Sequence, residues 1–337
     1  MRAIVYDRAG DSGVLRLIER EAEQPGPGEV RVRIAVSGVN PTDWKARAGR
    51  DPLEPQVPNQ DGAGVVDAVG PDAGVRVGDR VWVWDAAYRR PNGTAQELAI
   101  VPAAQVQPLP DNASFDLGAS LGIPALTAHL ALRADATEDA VPLSPGALAG
   151  RTVLVAGGAG AVGHAAIELA VWAGATVLTT VSSTEKAALA RAAGAHHVID
   201  YTALDVARVV LQHAPDGVDL VVEVNPNENA DLDARILTPG GTVAAYASGD
   251  DPLELDLRRL MSANARWRFL LTYTAPAREK HAAVAGVQAA LEAGALRIGD
   301  GAGLPLTRFP LEQTAEAHDA VEAGTTGKVL IDVADLG

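Results

Sequence analysis

The chain of 337 residues has no cysteine. Disulfides, thiolate metal ligands and cysteine nucleophiles are excluded at once. Histidine is scarce as well: there are seven, and the earliest is His129. A catalytic zinc centre of the dehydrogenase kind takes Cys, His and carboxylate ligands around an open position. The first 121 residues offer only the carboxylates, so no metal is expected. The chain also lacks an apolar run of the roughly 18–20 residues that cross a bilayer. No apolar signal stretch follows its first methionine. Positive charge is in deficit, with 28 Lys and Arg against 43 Asp and Glu and a formal net charge of −15. Nucleic acids and anionic membranes bind basic surfaces, so neither partner is expected. Together these absences leave the expectation of a cytoplasmic protein whose partners are small molecules.

What is present is apolar and long enough for two domains: 47% of the residues are apolar. The first part alternates as β-structure does. Residues 2–6, 14–19, 29–37, 64–69 and 80–84 read as strands set off by Gly and Pro turns. Val30-Arg31-Val32-Arg33-Ile34-Ala35-Val36 is a clean alternation. A helical pattern then covers residues 116–133. Residues 134–150 are polar, with Pro142, Pro145 and Gly146, and read as an exposed excursion.

From Thr152 strand and helix patterns alternate. Strands are expected at 152–156, 175–181, 196–199, 218–224, 241–247 and 266–273, and a helix at 277–293. Such alternation implies a doubly wound parallel sheet. Alternating Val329, Ile331 and Val333 suggest a final strand that rejoins the first domain. The expected division is 1–125 with 295–337 as the β domain and 126–294 as the nucleotide-binding domain.

The stretch from Thr152 to Lys186 is the most informative. The apolar run Val153-Leu154-Val155 is followed by Gly158-Ala159-Gly160-Ala161-Val162-Gly163, which fits G-x-G-x-x-G. A lone match is weak; a strand before it, a helix after it and a second strand beyond make it a dinucleotide turn. On that template the first glycine allows a tight turn, the second lets backbone approach a pyrophosphate, and the third packs helix on strand. An NAD site places a carboxylate at the end of the second strand, for the ribose hydroxyl. Ser182, Ser183 and Lys186 stand there instead, and suit a 2′-phosphate. The serines also read as the cap of the next helix, and the two roles can coexist. His196-His197 and His164 read as packing or surface residues.

With these residues in view, the chain resembles a medium-chain dehydrogenase/reductase of the zeta-crystallin-like quinone oxidoreductase branch, over nearly its whole length. The resemblance rests on Gly38-Val39-Asn40-Pro41-Thr42-Asp43, Asp61-Gly62-Ala63-Gly64-Val65-Val66, Val77-Gly78-Asp79-Arg80-Val81 and Gly122-Ile123-Pro124-Ala125-Leu126-Thr127-Ala128. It rests further on the glycine turn, Gly217-Val218-Asp219 and Gly327-Lys328-Val329. The fold it implies is α/β: a Rossmann doubly wound sheet with a partly open β-barrel domain of the chaperonin-10 (GroES-like) type. The cofactor it implies is NADPH, in a cleft between the domains. Gly158, Gly160, Ala161, Val162 and Gly163 match the phosphate turn, and Ser182, Ser183, Lys186 and Tyr201 the region that holds the 2′-phosphate. Asn227, Ser248, Gly249, Leu271 and Tyr273 match positions along the cofactor. Asn40 and Thr127 match positions beside the nicotinamide, with Gln60 facing the same cleft. The resemblance also implies a homodimer that pairs residues 266–273 across a twofold axis. The sequence departs from many relatives near Trp44, Arg50 and Asp51, where one or two tyrosines are usual, and at Asn59-Gln60-Asp61.

Without a metal nothing polarises an alcohol oxygen strongly, so alcohol oxidation is disfavoured. Quinones and enones accept hydride with little help, and Asn40, Gln60 or Thr127 can donate to the developing oxyanion. Asn40 also reads as a turn cap before Pro41. A quinone reductase is expected first. A zinc-free enone, enoyl-thioester or ketone reductase is the second reading, and a non-catalytic NADPH-binding protein the third.

Overall fold

The computed structural model describes residues 1–136, 140–249 and 251–336. They fall into two compact units, Met1–Ile123 with Pro305–Gly337, and Pro124–Leu304. In the first part of the chain the elements are β1 (Arg2–Val5), β2 (Arg16–Glu19), β3 (Glu29–Val39), α1 (Pro41–Gly49), β4 (Asp61–Val69), β5 (Arg80–Val83), β6 (Leu98–Pro102), β7 (Val106–Pro108), α2 (Phe115–Gly118) and α3 (Gly122–Leu132). The expected strand at 14–19 starts only at Arg16, because Asp11 caps a 3₁₀ turn over Ser12–Val14.

The helical pattern at 116–133 is two helices. A Cβ at Gly122 would lie 2.1 Å from Asp61 Oδ1. The backbone breaks there and comes against β4, which only glycine permits. The excursion at 134–150 also differs from expectation. Its residues 137–139 lie outside the described residues, but Leu143 and Leu148 are each 1% exposed. Two leucines pin a mostly polar segment inward.

The Rossmann unit runs β8 (Thr152–Val155), α4 (Ala161–Trp172), β9 (Thr176–Val181), α5 (Thr184–Ala192), β10 (His197–Asp200), α6 (Val206–His213), β11 (Val218–Glu223), α7 (Pro226–Ile236), β12 (Leu237–Ala245), α8 (Leu257–Ser262), β13 (Arg266–Phe269) and α9 (Ala277–Glu292). Its six strands lie in the order β10-β9-β8-β11-β12-β13. Every neighbouring pair is parallel. Strand order reverses between β8 and β11, and ligands of such sheets bind at the carboxyl ends of the strands around that point. The expected strand at 266–273 stops at Phe269. Its neighbour β12 ends at Ala245, whose carbonyl takes the Leu270 N–H, so no further partner remains.

The chain then returns to the first unit through β14 (Leu306–Pro310), α10 (Thr314–Glu322) and β15 (Lys328–Asp332). A seven-stranded sheet runs β14-β15-β3-β4-β5-β7, with β6 also paired to β3, and forms the partly open barrel. β15 lies antiparallel to β3, with Val329 opposite Val39. The first half of β3 alternates as expected: Val30, Val32 and Ile34 are buried while Arg31 and Arg33 reach Asp67 on β4. Such partly exposed ion pairs contribute up to about 1 kcal/mol. Each buried side chain contributes roughly 1.5–3 kcal/mol, so the apolar face sets the register. From Ile34 to Val39 every residue is buried, because α2 and α10 also pack on this stretch.

Candidate functional site

In the Rossmann unit β8 ends at Val155 and the chain turns through Ala156-Gly157-Gly158-Ala159-Gly160 into α4. The left-handed residue of this turn is Gly157, at φ +69°, one position before the motif as read from the sequence. Gly158 has a packing role instead: a Cβ there would meet Thr179 Oγ1 at 2.1 Å and Ile167 Cδ1 at 2.8 Å. Gly163 sits against the turn itself, its missing Cβ 2.3 Å from Gly157 O. Gly160 differs from both. It is exposed, and the nearest atom to a Cβ there is 3.5 Å away. Space is therefore open above Gly160, where Ala161, Val162 and Gly163 begin α4 with the unsatisfied N–H groups of a helix start. That is the geometry a pyrophosphate requires.

The turn is tied to β9. Gly157 N–H donates to Thr180 Oγ1 at 3.3 Å and Gly158 N–H to Thr180 O at 3.2 Å. At the end of β9, Ser183 caps α5 by accepting the Lys186 N–H at 3.2 Å. Lys186 Nζ donates to Ser182 Oγ at 3.0 Å. On the neighbouring strand Tyr201 follows β10, donates its N–H to Val181 O at 3.0 Å and is 54% exposed. Ser182, Ser183, Lys186 and Tyr201 thus gather at the carboxyl ends of β9 and β10. Asp200, the acid beside them, accepts the N–H and hydroxyl of Thr202.

Beyond the switch point, Asn227 in α7 accepts the Gly249 N–H at 2.8 Å and donates to Asp251 O, so it holds the segment of Ser248 and Gly249. Glu223, at the end of β11, is bound by Asn225 N–H and Asn229 Nδ2, and its burial pushes its carboxyl above the usual range. Thr127 on α3 shares a 2.6 Å hydrogen bond with Thr272 Oγ1. That contact brings Thr127 to the segment of Leu271 and Tyr273. Thr272 carried no signal in the sequence.

In the first unit Asn40 follows β3 and precedes α1. It is the N-cap residue of a capping box, in which the Asp43 carboxylate accepts the Asn40 N–H at 2.7 Å. The Asn40 amide oxygen and one of its two N–H groups are spent inward. Nδ2 donates to Asp61 Oδ2 at 2.7 Å, and Oδ1 accepts Lys328 Nζ at 2.7 Å. Lys328 also donates to Val39 O at 3.2 Å and lies 3.8 Å from Asp61. Asp61 further accepts Ile123 N–H at 2.9 Å. Gln60 is buried, its Oε1 accepting Ala87 N–H at 3.0 Å. Asn59, next to it, stands at φ +75° and links His318 to Ser37.

Two buried carboxyls therefore share one buried ammonium. Burial, then the nearby Asp61 charge, pushes Asp43 up to about 8, against the pull of Asn40 N–H and Lys328. Burial pushes Asp61 up to about 6, with Lys328, Asn40 and Ile123 opposing. Burial lowers Lys328 below the usual amine range while both carboxyls raise it. The network is near neutral when Asp43 holds its proton and Asp61 and Lys328 are charged. The structure thus brings Asn40 and the Gln60–Asp61 corner together in the first unit. Thr127 and the phosphate-turn residues belong to the second. Among the described residues no cluster of three His or carboxylate groups suited to a metal occurs.

A family model described as "Zinc-binding dehydrogenase" matches residues 161–290, and one described as "Alcohol dehydrogenase GroES-like domain" matches residues 26–111. The human protein named quinone oxidoreductase is 30% identical over 98% of this chain and 97% of its own length. A mycobacterial structure complexed with NADPH is similar at 31% identity, with a TM-score of 0.80 over 98% of this chain and 99% of that one. A structure described as an NAD-dependent alcohol dehydrogenase is similar at 27% identity, with a TM-score of 0.84 over 99% of this chain and 100% of that one.

Proposed function

The chain belongs to the quinone oxidoreductase family of medium-chain dehydrogenase/reductases, and from that footing we propose that it reduces a quinone or a similar small conjugated carbonyl compound with NADPH, and without metal. The observation that carries the cofactor reading is the cluster of Ser182, Ser183, Lys186 and Tyr201 beside an open glycine turn. Ser183 and Lys186 would hold the 2′-phosphate, and the N–H groups that open α4 the pyrophosphate. Asn227 would keep Ser248 and Gly249 in place along the cofactor, as the Thr127–Thr272 bond would keep Leu271 and Tyr273. Bound NADPH supplies a hydride. The chain's own contribution is orientation and hydrogen bonding. Asn40, Gln60 and Thr127 are uncharged donors suited to a carbonyl oxygen that gains negative charge.

The substrate class follows by elimination. No cysteine is available as a nucleophile, and an acceptor that takes hydride without a Lewis acid must already be electron-poor. The proposed place of action is the cytoplasm, and the proposed assembly a homodimer through the β13 edge.

Steady-state oxidation of NADPH and of NADH, assayed with quinones, enones and simple aldehydes, tests this reading. Turnover is expected with quinones or enones, with NADPH preferred and a chelator without effect. Turnover restricted to simple aldehydes, equal use of NADH, or loss of activity on chelation with recovery on adding zinc would each overturn it.

A further inference from the structure

Lys328 has no part in the reading above, yet it is 2% exposed and its ammonium is wholly enclosed by protein groups. The residues that follow it on β15, Val329, Leu330 and Ile331, are buried apolar side chains. An apolar side chain at 328 would suit this strand, and a buried ammonium is costly unless its partners repay it. Room is made for it deliberately. A Cβ at Gly38, across on β3, would lie 3.1 Å from Lys328 Cε and 2.0 Å from Ala119 O.

We infer that Lys328 is a positioning residue for hydride transfer: it keys the amide of Asn40, so that the one uncommitted N–H of that side chain faces the acceptor's oxygen. The inference rests on the reading of Asn40 as a donor. An asparagine amide has two N–H donors and an oxygen acceptor, and its two ends are nearly the same shape. Shape alone therefore does not set which end points where. Here the flip is barred by charge at both ends. Turned over, Oδ1 would face the Asp61 carboxylate and Nδ2 would face the Lys328 ammonium, two like-with-like contacts at the present 2.7 Å. In the observed orientation both contacts are charge-assisted hydrogen bonds, the strong kind.

The same arrangement sharpens the donor. An ammonium on the carbonyl oxygen draws electron density from the amide nitrogen, and chained hydrogen bonds polarise one another in a site of low dielectric. One Nδ2 hydrogen goes to Asp61. The other is the donor that remains, and it is the kind of group that gains most as an oxyanion develops. Asp61 is itself immobilised by Ile123 N–H, so the anchor at each end of the amide is fixed.

The test is a double-mutant cycle on the full chain, with NADPH and the quinone it turns over fastest. Asn40→Ala is expected to lower kcat by about tenfold or more, up to the roughly 100- to 1000-fold seen for loss of an oxyanion donor. Lys328→Met should lower kcat by a similar factor while KM for NADPH stays within about twofold, a split that general loosening of the fold would not give. The double variant should be no slower than Asn40→Ala alone. Wild-type kcat in Lys328→Met, or a double variant slowed by the product of the single effects, overturns the positioning role and leaves the Asn40 reading intact. Wild-type kcat in Asn40→Ala removes the reading itself, and the positioning role with it. Should Lys328→Met not fold, Lys328→Arg, which keeps a buried cation on the Asn40 oxygen, should hold kcat within about fivefold of wild type, and a loss as large as that of Asn40→Ala overturns the positioning role.

Discussion

Lys186 is held twice by the serines that precede its helix: its ammonium donates to Ser182 Oγ at 3.0 Å, and its backbone N–H to Ser183 Oγ at 3.2 Å. Capping and phosphate recognition are therefore not rival accounts of these serines. The cap uses one lone pair of Ser183 and fixes where the lysine begins; the Ser183 hydroxyl also bonds the Glu185 carboxyl, and the Ser182 hydroxyl proton remains for a ligand.

Cofactor choice should then hinge on the ammonium. Lys186→Ala is expected to weaken NADPH binding by about 1.5–3 kcal/mol, the value of a hydrogen bond to a charged group, and to leave NADH nearly unchanged. Titration calorimetry with both cofactors checks this. An equal loss for the two would mean that the lysine serves the helix alone.

The glycines of the turn should separate folding from binding. Gly163→Ala forces a Cβ to within 2.3 Å of Gly157 O, so it should lower both thermal stability and NADPH affinity. Gly160→Ala meets nothing nearer than 3.5 Å and should melt with the wild type. Its NADPH affinity should nevertheless fall about tenfold or more, roughly 1.4 kcal/mol, because the methyl enters the space left for the phosphates. Unchanged affinity in Gly160→Ala would move the phosphates elsewhere.

The buried carboxyls predict a pH dependence. Both have folded pKa values above the ordinary range of about 4, so the folded state binds their protons more tightly than the unfolded chain does. Their stabilising contribution is fully present below about pH 4. It is lost as pH rises through about 6 for Asp61 and about 8 for Asp43. Lys328, lowered by burial, runs in the opposite sense. The melting temperature of Asp43→Asn, which keeps an acceptor for Asn40 N–H but cannot titrate, should therefore fall less than that of the wild type between pH 6 and pH 9. Parallel profiles would show that Asp43 is already ionised at neutral pH.

At β13, Phe269 is 64% exposed and Leu271 57%, beside a strand with β12 on one side only. A bare apolar edge of this kind invites pairing. Phe269→Lys combined with Leu271→Lys should convert the proposed homodimer to monomer in light scattering, with the melting of the monomer little changed. Leu270 is the wrong position to probe, since its N–H already serves Ala245 inside the sheet.

The alternation of strand and helix after Thr152 was legible because parallel strands buried on both faces are apolar runs closed by glycine, and local sequence records that. The cluster of Ser182, Ser183 and Lys186 was legible for the same reason: its members are neighbours in the chain. Three features were not. Gly157 hid behind a template that begins one residue later. The length of β13 is set by where β12 ends, which no residue of β13 encodes. Lys328 stood in the Gly327-Lys328-Val329 match without a role, since its partner Asn40 lies 288 positions away.

That separation also sets an order of events. As the polypeptide leaves the ribosome, every residue of the Rossmann unit has been made before residue 305, and a contiguous unit can fold as it emerges. The barrel starts first and must wait, because β14, α10 and β15 are still to be translated. Until then Asp43 and Asp61 have no ammonium beside them, and the apolar side of β3 that faces β15 is bare. A chain released after residue 304 would therefore expose an unfinished barrel to chaperones and proteases, while every residue of the nucleotide-binding half is present.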